Sequence, residues 1–349
     1  MTALTRADLA ALPSYVPGRT VPGAIKLASN EVPYGPLPGV VEAIVEAAQG
    51  VHRYPDMGVV ALREKLAGRL DVPVERVVTG CGSVALTEHI MRAACLPGDE
   101  VVYAWRSFEA YPIIAAATAA TSVRVPNTAT HAHDLPAMAA AVTSRTKVVL
   151  VCTPNNPTGT PCRRDELTAF LDEVGPDMIV VLDEAYREFV TDPDVPDGLV
   201  EFGDRPNVVV LRTLSKAWGL AGLRAGYLVA HPEVADAIRK VVTPFSSSVA
   251  AQAAALAALD QEVEMRRRAG LIVAERTRVR DALLALGQEV PETQANFVWL
   301  PLGEGAVPFA QSCEASGVIV RPFAGDGVRV TIGTPEENDT FLNAAEKAL

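Results

Sequence analysis

Six continuous apolar runs, separated by longer helical patterns, constrain the fold of this chain more than any other feature. They are "RVVTG" (76–80), "EVVYA" (100–104), "KVVLVCTP" (147–154), "MIVVLDEAY" (178–186), "NVVVLRT" (207–213) and "AGYLVA" (225–230). A strand with one face in water alternates apolar and polar residues. A strand covered on both faces loses that alternation, so these runs predict a mainly parallel sheet between helices. Helix candidates lie between them at 83–95, 134–143 and 163–174. The last contains "DELTAFLDEV", with acids in its first turn where the helix dipole favours them.

The texture changes near Pro244. A helical stretch over roughly 246 to 287 leads into a shorter α+β section with "ANFVWLPL", "GVIVRPF" and "GVRVTIG". Before "PGVVEAIVEAA" (38–48) the chain is rich in Pro and Gly and has no clear element. A length of 349 residues accommodates one large and one small domain. The expected division is an arm over 1–45 partly joined to the small domain, a large α/β domain over 46–245, and a small α+β domain over 246–349.

With a net charge of −11 the surface is a poor match for nucleic acid or an anionic membrane, so any anion site must be built locally. Five cysteines without CxxC spacing suit reduced thiols rather than a disulfide framework. The opening "MTALTRADLAALPSYVPG" lacks the basic start and apolar core of a signal peptide, and every apolar stretch is interrupted before it could span a membrane. The expectation is a cytoplasmic protein. His131 and His133 form an H-x-H with no third ligand in view, so no metal is expected.

"VVTGCGSVALTEHI" fits strand, G-x-G-x-x-A and helix, the start of a dinucleotide site. That reading needs an acid closing the next strand, but "EVVYAW" ends in aromatic residues and Arg106. Two readings of the loop stay open: an anion cradle of Gly80, Cys81, Gly82 and Ser83 amides at a helix N-terminus, or a tight strand–helix turn.

Three further strand ends carry polar residues: Asn155 and Asn156; Asp183, Glu184 and Tyr186; Thr213, Ser215 and Lys216, with Arg224 eight residues on. Singly, a turn, a helix cap and a surface ion pair would account for them. Together they stand where open parallel sheets bind ligands, beyond the carboxyl ends of the strands. A lysine between an apolar run and small residues either extends outward or has its amine used for chemistry. The set matches the needs of pyridoxal phosphate. Lys216 supplies an amine for its aldehyde, Asp183 a carboxylate for its ring nitrogen, and Tyr186 and Asn156 donors for its phenolate. The 80–83 loop, Thr213, Ser215 and Arg224 suit its phosphate, and Phe108 is placed to cover its ring.

"LASNEVPYGP", "PNNPTG", "LDEAYREF", "TLSKAWGLAGLRAGY" and "VRVTIGTPEEN", in this order and spacing, make the chain resemble the fold-type I aminotransferases, specifically the histidinol-phosphate and aromatic aminotransferase group. The resemblance implies a large domain with a mainly parallel seven-stranded sheet and a smaller α+β domain. It implies Lys216 as the Schiff-base lysine and proton carrier, Asp183 as the ring-nitrogen partner, and Asn156 and Tyr186 as phenolate ligands. Tyr54 in "RYPD" resembles a tyrosine that reaches the partner subunit's cofactor phosphate, which implies a homodimer. Arg329 resembles the arginine that grips the substrate carboxylate; Asn30 is either a further contact there or a turn residue. Arg321 resembles a residue used for a substrate phosphate, a role that Asp326 would oppose if it points inward. "AWRSFEAYP", "QANFVWLPL" and "RPFAGDGVRV" look like the aromatic branch, with Tyr15 of the arm closing the neighbouring subunit's pocket. The implied reaction is ping-pong transfer of the amino group of Phe, Tyr or Trp to 2-oxoglutarate. Histidinol phosphate is the alternative substrate, and decarboxylation of a phosphorylated amino acid the alternative reaction. A regulator on the same fold would need a DNA-binding segment, for which no room is expected.

Overall fold

In the structure, a computed structural model that describes residues 6, 12, 14, 15 and 18–349, the six apolar runs become six adjacent strands of one seven-stranded sheet. The two-residue β1 (Ile25–Lys26) lies outside it. The sheet consists of β2 (Val77–Gly80), β3 (Glu100–Trp105), β4 (Thr121–Pro126), β5 (Thr146–Cys152), β6 (Ile179–Asp183), β7 (Val208–Thr213) and β8 (Gly226–Val229), in the order β2-β8-β7-β6-β5-β3-β4. All neighbours from β4 through β7 are parallel; β8 runs antiparallel between β7 and β2. β4 has no counterpart among the apolar runs. As an edge strand, "TSVRVP" needs no continuous apolar face, and most of it is partly or fully exposed.

Helices join and cover these strands: α1 (Val40–Ala48), α2 (Val60–Leu70), α3 (Gly82–Ala94), α4 (Ala110–Ala117), α5 (Leu135–Ala140), α6 (Arg164–Val174), α7 (Gly198–Phe202) and α8 (Pro232–Val241). Successive strand side chains point to opposite faces, and each face has its own helical cover. Tyr103, Val148, Leu150, Val181, Val209 and Leu211 pack with Leu86, Ile90 and Met91 of α3, Tyr111 and Ile114 of α4, and Ile238 of α8. Their neighbours Val102, Val149, Val151, Val180, Leu182 and Val210 pack with Met138 of α5 and Leu167, Phe170 and Leu171 of α6. Each such side chain contributes about 1.5–3 kcal/mol by leaving water, which explains why polar residues in the covered strands appear only near their ends.

The helical stretch beyond Pro244 is divided at Asp260 and Gln261 into α9 (Val249–Leu259), capped by Ser248, and α10 (Glu262–Ala285). A three-stranded antiparallel sheet follows, β11-β12-β9, made from β9 (Phe297–Leu300), β11 (Arg321–Phe323) and β12 (Gly327–Thr331). α11 (Ala306–Ala315) and α12 (Pro335–Ala348) complete this region, the latter started by a Thr334–Glu337 capping box. β10 (Val318–Ile319) pairs in parallel with β1, so the early chain is stitched to the last section. No helix among the described residues is long and apolar enough to cross a membrane.

Candidate active site

The direction of β8 shapes the site. β7 ends at Thr213 and β8 begins at Gly226, its register partner, which also pairs with Gly80 at the end of β2. The connection between β7 and β8 therefore turns over the carboxyl edge of the sheet. It is closed by the Leu214 N–H donating to the Ala225 carbonyl at 3.0 Å. Ser215, Lys216 and Arg224 all lie on it, beside the loop that opens α3. The approach of Gly226 to that loop is close: a Cβ there would stand 2.7 Å from the Ser83 nitrogen. Gly82 has φ +81°, and a Cβ on it would reach within 2.5 Å of Arg224 Nη2. Backbone contact requires glycine at 226 and the positive φ favours it at 82, and the Arg224 guanidinium lies against the first turn of α3.

The same edge supplies Cys152 and Asp183, register partners at the ends of β5 and β6. Around it opens a cavity whose mouth lies in solvent. Lys216, Asp183, Tyr186, Asn156, Thr213, Ser215, Arg224, Ser83, Phe108, Arg329, Asn30, Arg321 and Tyr15 all line it. Of the 80–83 loop it is Ser83 that faces the cavity, whereas Cys81 is the residue preceding α3.

Lys216 Nζ donates to the Ser29 carbonyl at 3.3 Å and lies 5.8 Å over the Tyr186 ring. Burial pushes its pKa down to about 7, helped by the cations Arg329 and Arg224 and opposed by Glu31 and Asp183. Asp183 is shifted the other way, up to about 6. Burial raises it, while hydrogen bonds from Tyr111 and the Ala185 N–H hold it down. The Tyr111 hydroxyl donates to Asp183 Oδ2 at 2.7 Å, whereas Oδ1 is buried with no protein partner.

A second group joins the C-terminal sheet to the same cavity. Arg329 is buried, with Nη2 donating to the Ala28 carbonyl at 2.8 Å and Nη1 to Asn156 Oδ1 at 2.5 Å; its Nε has no protein partner. Asn30, at φ +56°, donates from Nδ2 to the Tyr186 hydroxyl at 2.9 Å, and its backbone N–H donates to Thr331 Oγ1. It is thus a hydrogen-bonded member of the site and not a bare turn. Arg321 is directly opposite Arg329 across β11 and β12, and pairs with Glu109 at 2.8 Å. Asp326, whose direction decided how Arg321 would be read, pairs with Arg106 instead. Tyr54 lies elsewhere, 80% exposed and stacked on Phe245 with 4.5 Å between ring centroids.

The model of the family described as aminotransferase class I and II matches residues 22–344. The chain belongs to that family. It is 55% identical over 346 residues to a protein of Streptomyces coelicolor named aromatic amino acid aminotransferase, covering 98% of this chain and 96% of that one. A protein of the same name from Thermobifida fusca is 55% identical over 344 residues, covering 97% and 96%. Among solved structures, the histidinol-phosphate aminotransferase of Sinorhizobium meliloti in complex with pyridoxal-5'-phosphate superposes with a TM-score of 0.86. It is 28% identical, covering 93% of this chain and 90% of that one.

For an aminotransferase of this class, the fold follows the sequence-based expectation, and four residues at or behind the cavity go beyond it. Tyr111 has no role in the sequence-based reading, yet its hydroxyl is the donor to Asp183. Glu109 precedes α4 and faces Arg321. Ala28 and Ser29 act through backbone carbonyls, which no side-chain pattern reports. His133 is buried against Cys162, 3.8 Å from its Sγ, and its pKa is pushed down by burial to about 4. No group of three or more metal-ligating side chains occurs among the described residues.

Proposed function

We propose that this chain holds pyridoxal phosphate and transfers the amino group of an aromatic L-amino acid to a keto acid, 2-oxoglutarate being the expected acceptor. The observation that carries the cofactor reading is the buried, unpartnered Oδ1 of Asp183 in a cavity it shares with a lysine of depressed pKa. A buried carboxylate oxygen without a partner is costly, and a protonated ring nitrogen is the partner it lacks. The near-full-length likeness to proteins named aromatic amino acid aminotransferase supports the substrate class.

When bound, the cofactor supplies an aldehyde carbon for the amino group and a ring that accepts the electron pair left at the substrate Cα. Asp183 keeps the ring nitrogen protonated, oriented by the Tyr111 hydroxyl. The Tyr186 hydroxyl accepts from Asn30, and Asn156 uses its Oδ1 for Arg329; this leaves the Tyr186 proton and the Asn156 Nδ2 to face the phenolate. Ser83, Thr213, Ser215 and Arg224, with the Cys81 and Gly82 amides, hold the phosphate at the start of α3. Phe108 covers the ring. Lys216, whose pKa burial lowers to about 7, would carry the proton taken from the substrate Cα. The Arg329 guanidinium grips the α-carboxylate and so aims Cα at that amine.

In this reading the enzyme is a homodimer in which exposed Tyr54 reaches the other subunit's cofactor phosphate, whereas Tyr15, expected to close the neighbouring subunit's pocket, lines the pocket of its own chain. The arm over 1–45, the large domain over 46–245 and the small domain over 246–349 are its working units, with the β1–β10 pair tying arm to small domain. The test is kcat/KM for phenylalanine, tyrosine and histidinol phosphate against one acceptor. The aromatic amino acids are expected to lead, and a clear lead for histidinol phosphate overturns the substrate assignment.

A further inference from the structure

β3 and β5 are neighbours in the sheet, so the loops that leave their carboxyl ends run side by side. One side chain ties the two loops together. Asn155, three residues past β5, is fully buried, and so is Ser107, two residues past β3. Ser107 Oγ donates to Asn155 Oδ1 at 2.7 Å. Asn155 Nδ2 donates to the Arg106 carbonyl at 3.1 Å and to Thr158 Oγ1 at 2.9 Å. The Arg106 carbonyl also accepts from Asn127 Nδ2 at 2.8 Å, which occupies both of its lone pairs. The residue after Ser107 is Phe108 and the residue after Asn155 is Asn156; both line the cavity, whereas Asn155 stands behind it.

We propose that Asn155 is a positioning residue: its buried amide clasps the backbone at Arg106 and the side chain of Ser107, and so holds Phe108 where it covers the cofactor ring. This inference rests on the pyridoxal phosphate reading of the same cavity. A loop beyond a strand end keeps its backbone rotations unless something fixes them, and each rotation frozen beforehand is ordering that binding does not have to supply. Here the chain is pinned at the two residues before Phe108, so the ring is aimed before any ligand arrives. On its other side the ring rests edge-on against Tyr111, the donor to Asp183, with 5.5 Å between centroids. Asn155 and Asn156 divide their duties: Asn156 Oδ1 accepts from Arg329 at the cavity, while Asn155 acts only through the loop beside it.

A double-substitution cycle separates positioning from general stability. The dissociation constant of pyridoxal phosphate is read by fluorescence titration of the apoenzyme in the parent, Asn155→Ala, Phe108→Ala and the double variant. Asn155→Ala should weaken binding by about tenfold in the parent and by less than about twofold when Phe108→Ala is already present, because the ring it positions is then gone. The visible circular dichroism of the bound cofactor gives a second readout. A planar chromophore owes its optical activity to asymmetric neighbours, and at saturation affinity no longer matters. Asn155→Ala should therefore lower that signal to the level of Phe108→Ala. Ser107→Ala, which loses a single bond, should show the same pattern at about threefold and carries the cycle if Asn155→Ala does not fold. Equal changes in affinity in the two backgrounds, or an unaltered dichroism in the single variant, overturn the inference. A parent apoenzyme that takes up no pyridoxal phosphate overturns the cofactor reading instead, so the two failures are distinguishable.

Discussion

Replacing Tyr111 by Phe isolates what one hydroxyl does for the Asp183 carboxylate. The Tyr111 ring packs edge-on against Tyr103 and Phe108, at centroid distances of 5.7 and 5.5 Å, and Phe keeps both contacts. What disappears is the 2.7 Å hydrogen bond to Asp183 Oδ2. A bond to a charged group contributes about 1.5–3 kcal/mol, and one pKa unit corresponds to about 1.4 kcal/mol, so the change amounts to about 1–2 units. The sign follows from which form the bond favours. Tyr111 donates to the ionised carboxylate and holds the Asp183 pKa down. Its removal should lift that pKa from about 6 in the cofactor-free chain towards about 7–8. Around neutral pH the variant then presents a neutral acid where the parent presents a carboxylate. Titration of apoenzyme with pyridoxal phosphate over a range of pH is the assay. The affinity deficit should be full below about pH 6, fade as pH rises through the two pKa values and vanish above about pH 9, where both proteins are ionised. A deficit of constant size at every pH would refute the electrostatic reasoning and leave only a packing role for the hydroxyl.

Three other outcomes are expected. Lys216→Met should abolish transamination and should raise the melting temperature of the apoenzyme more at pH 6 than at pH 9.5. The fold resists the protonated amine, so that cost is full below the folded-state pKa of about 7 and fades as pH climbs towards the unfolded value of about 10.4. An equal gain at both pH values, measured calorimetrically, would contradict this. Arg329→Lys should lower kcat/KM for every amino donor by about 100-fold, since an ammonium cannot reproduce the fork that grips a carboxylate; a loss confined to one donor counts against the assigned role. Gly82→Ala should weaken cofactor binding by about tenfold, because a residue at φ +81° is strained and its Cβ displaces Arg224 from the first turn of α3. Unchanged affinity by fluorescence titration would remove Arg224 from the phosphate site.

The strands buried on both faces were legible because burial dictates their composition: six apolar runs are the six strands from β2 to β3 in sheet order. β4 was not, since an edge strand is free to read Thr-Ser-Val-Arg-Val-Pro. α4 was missed for a related reason: "AYPIIAAA" shows no polar face, because most of it is buried. Site groups at strand ends, such as Asp183 and Lys216, stood out as polar residues interrupting apolar text. Groups that act only through a distant partner did not. Nothing in "SFEAYP" says that Glu109 meets an arginine 212 positions later, or that Tyr111 reaches a carboxylate 72 positions on. The direction of Asp326 was likewise undetermined until Arg106 was seen to hold it.

Four consecutive residues, Leu27 to Asn30, touch both ends of the molecule. Leu27 bonds with Ile319 and Thr331, Ala28 with Arg329, Ser29 with Lys216, and Asn30 with Tyr186, Asn296 and Thr331. Some of these contacts close loops of 301 residues, among the slowest kind to form. A chain emerging from the ribosome therefore exposes Lys216 and Asp183 long before Arg329 and Thr331 exist to wall them in. A translation product stopped short of β12 would be left with the Lys216 amine and an incomplete pocket around it.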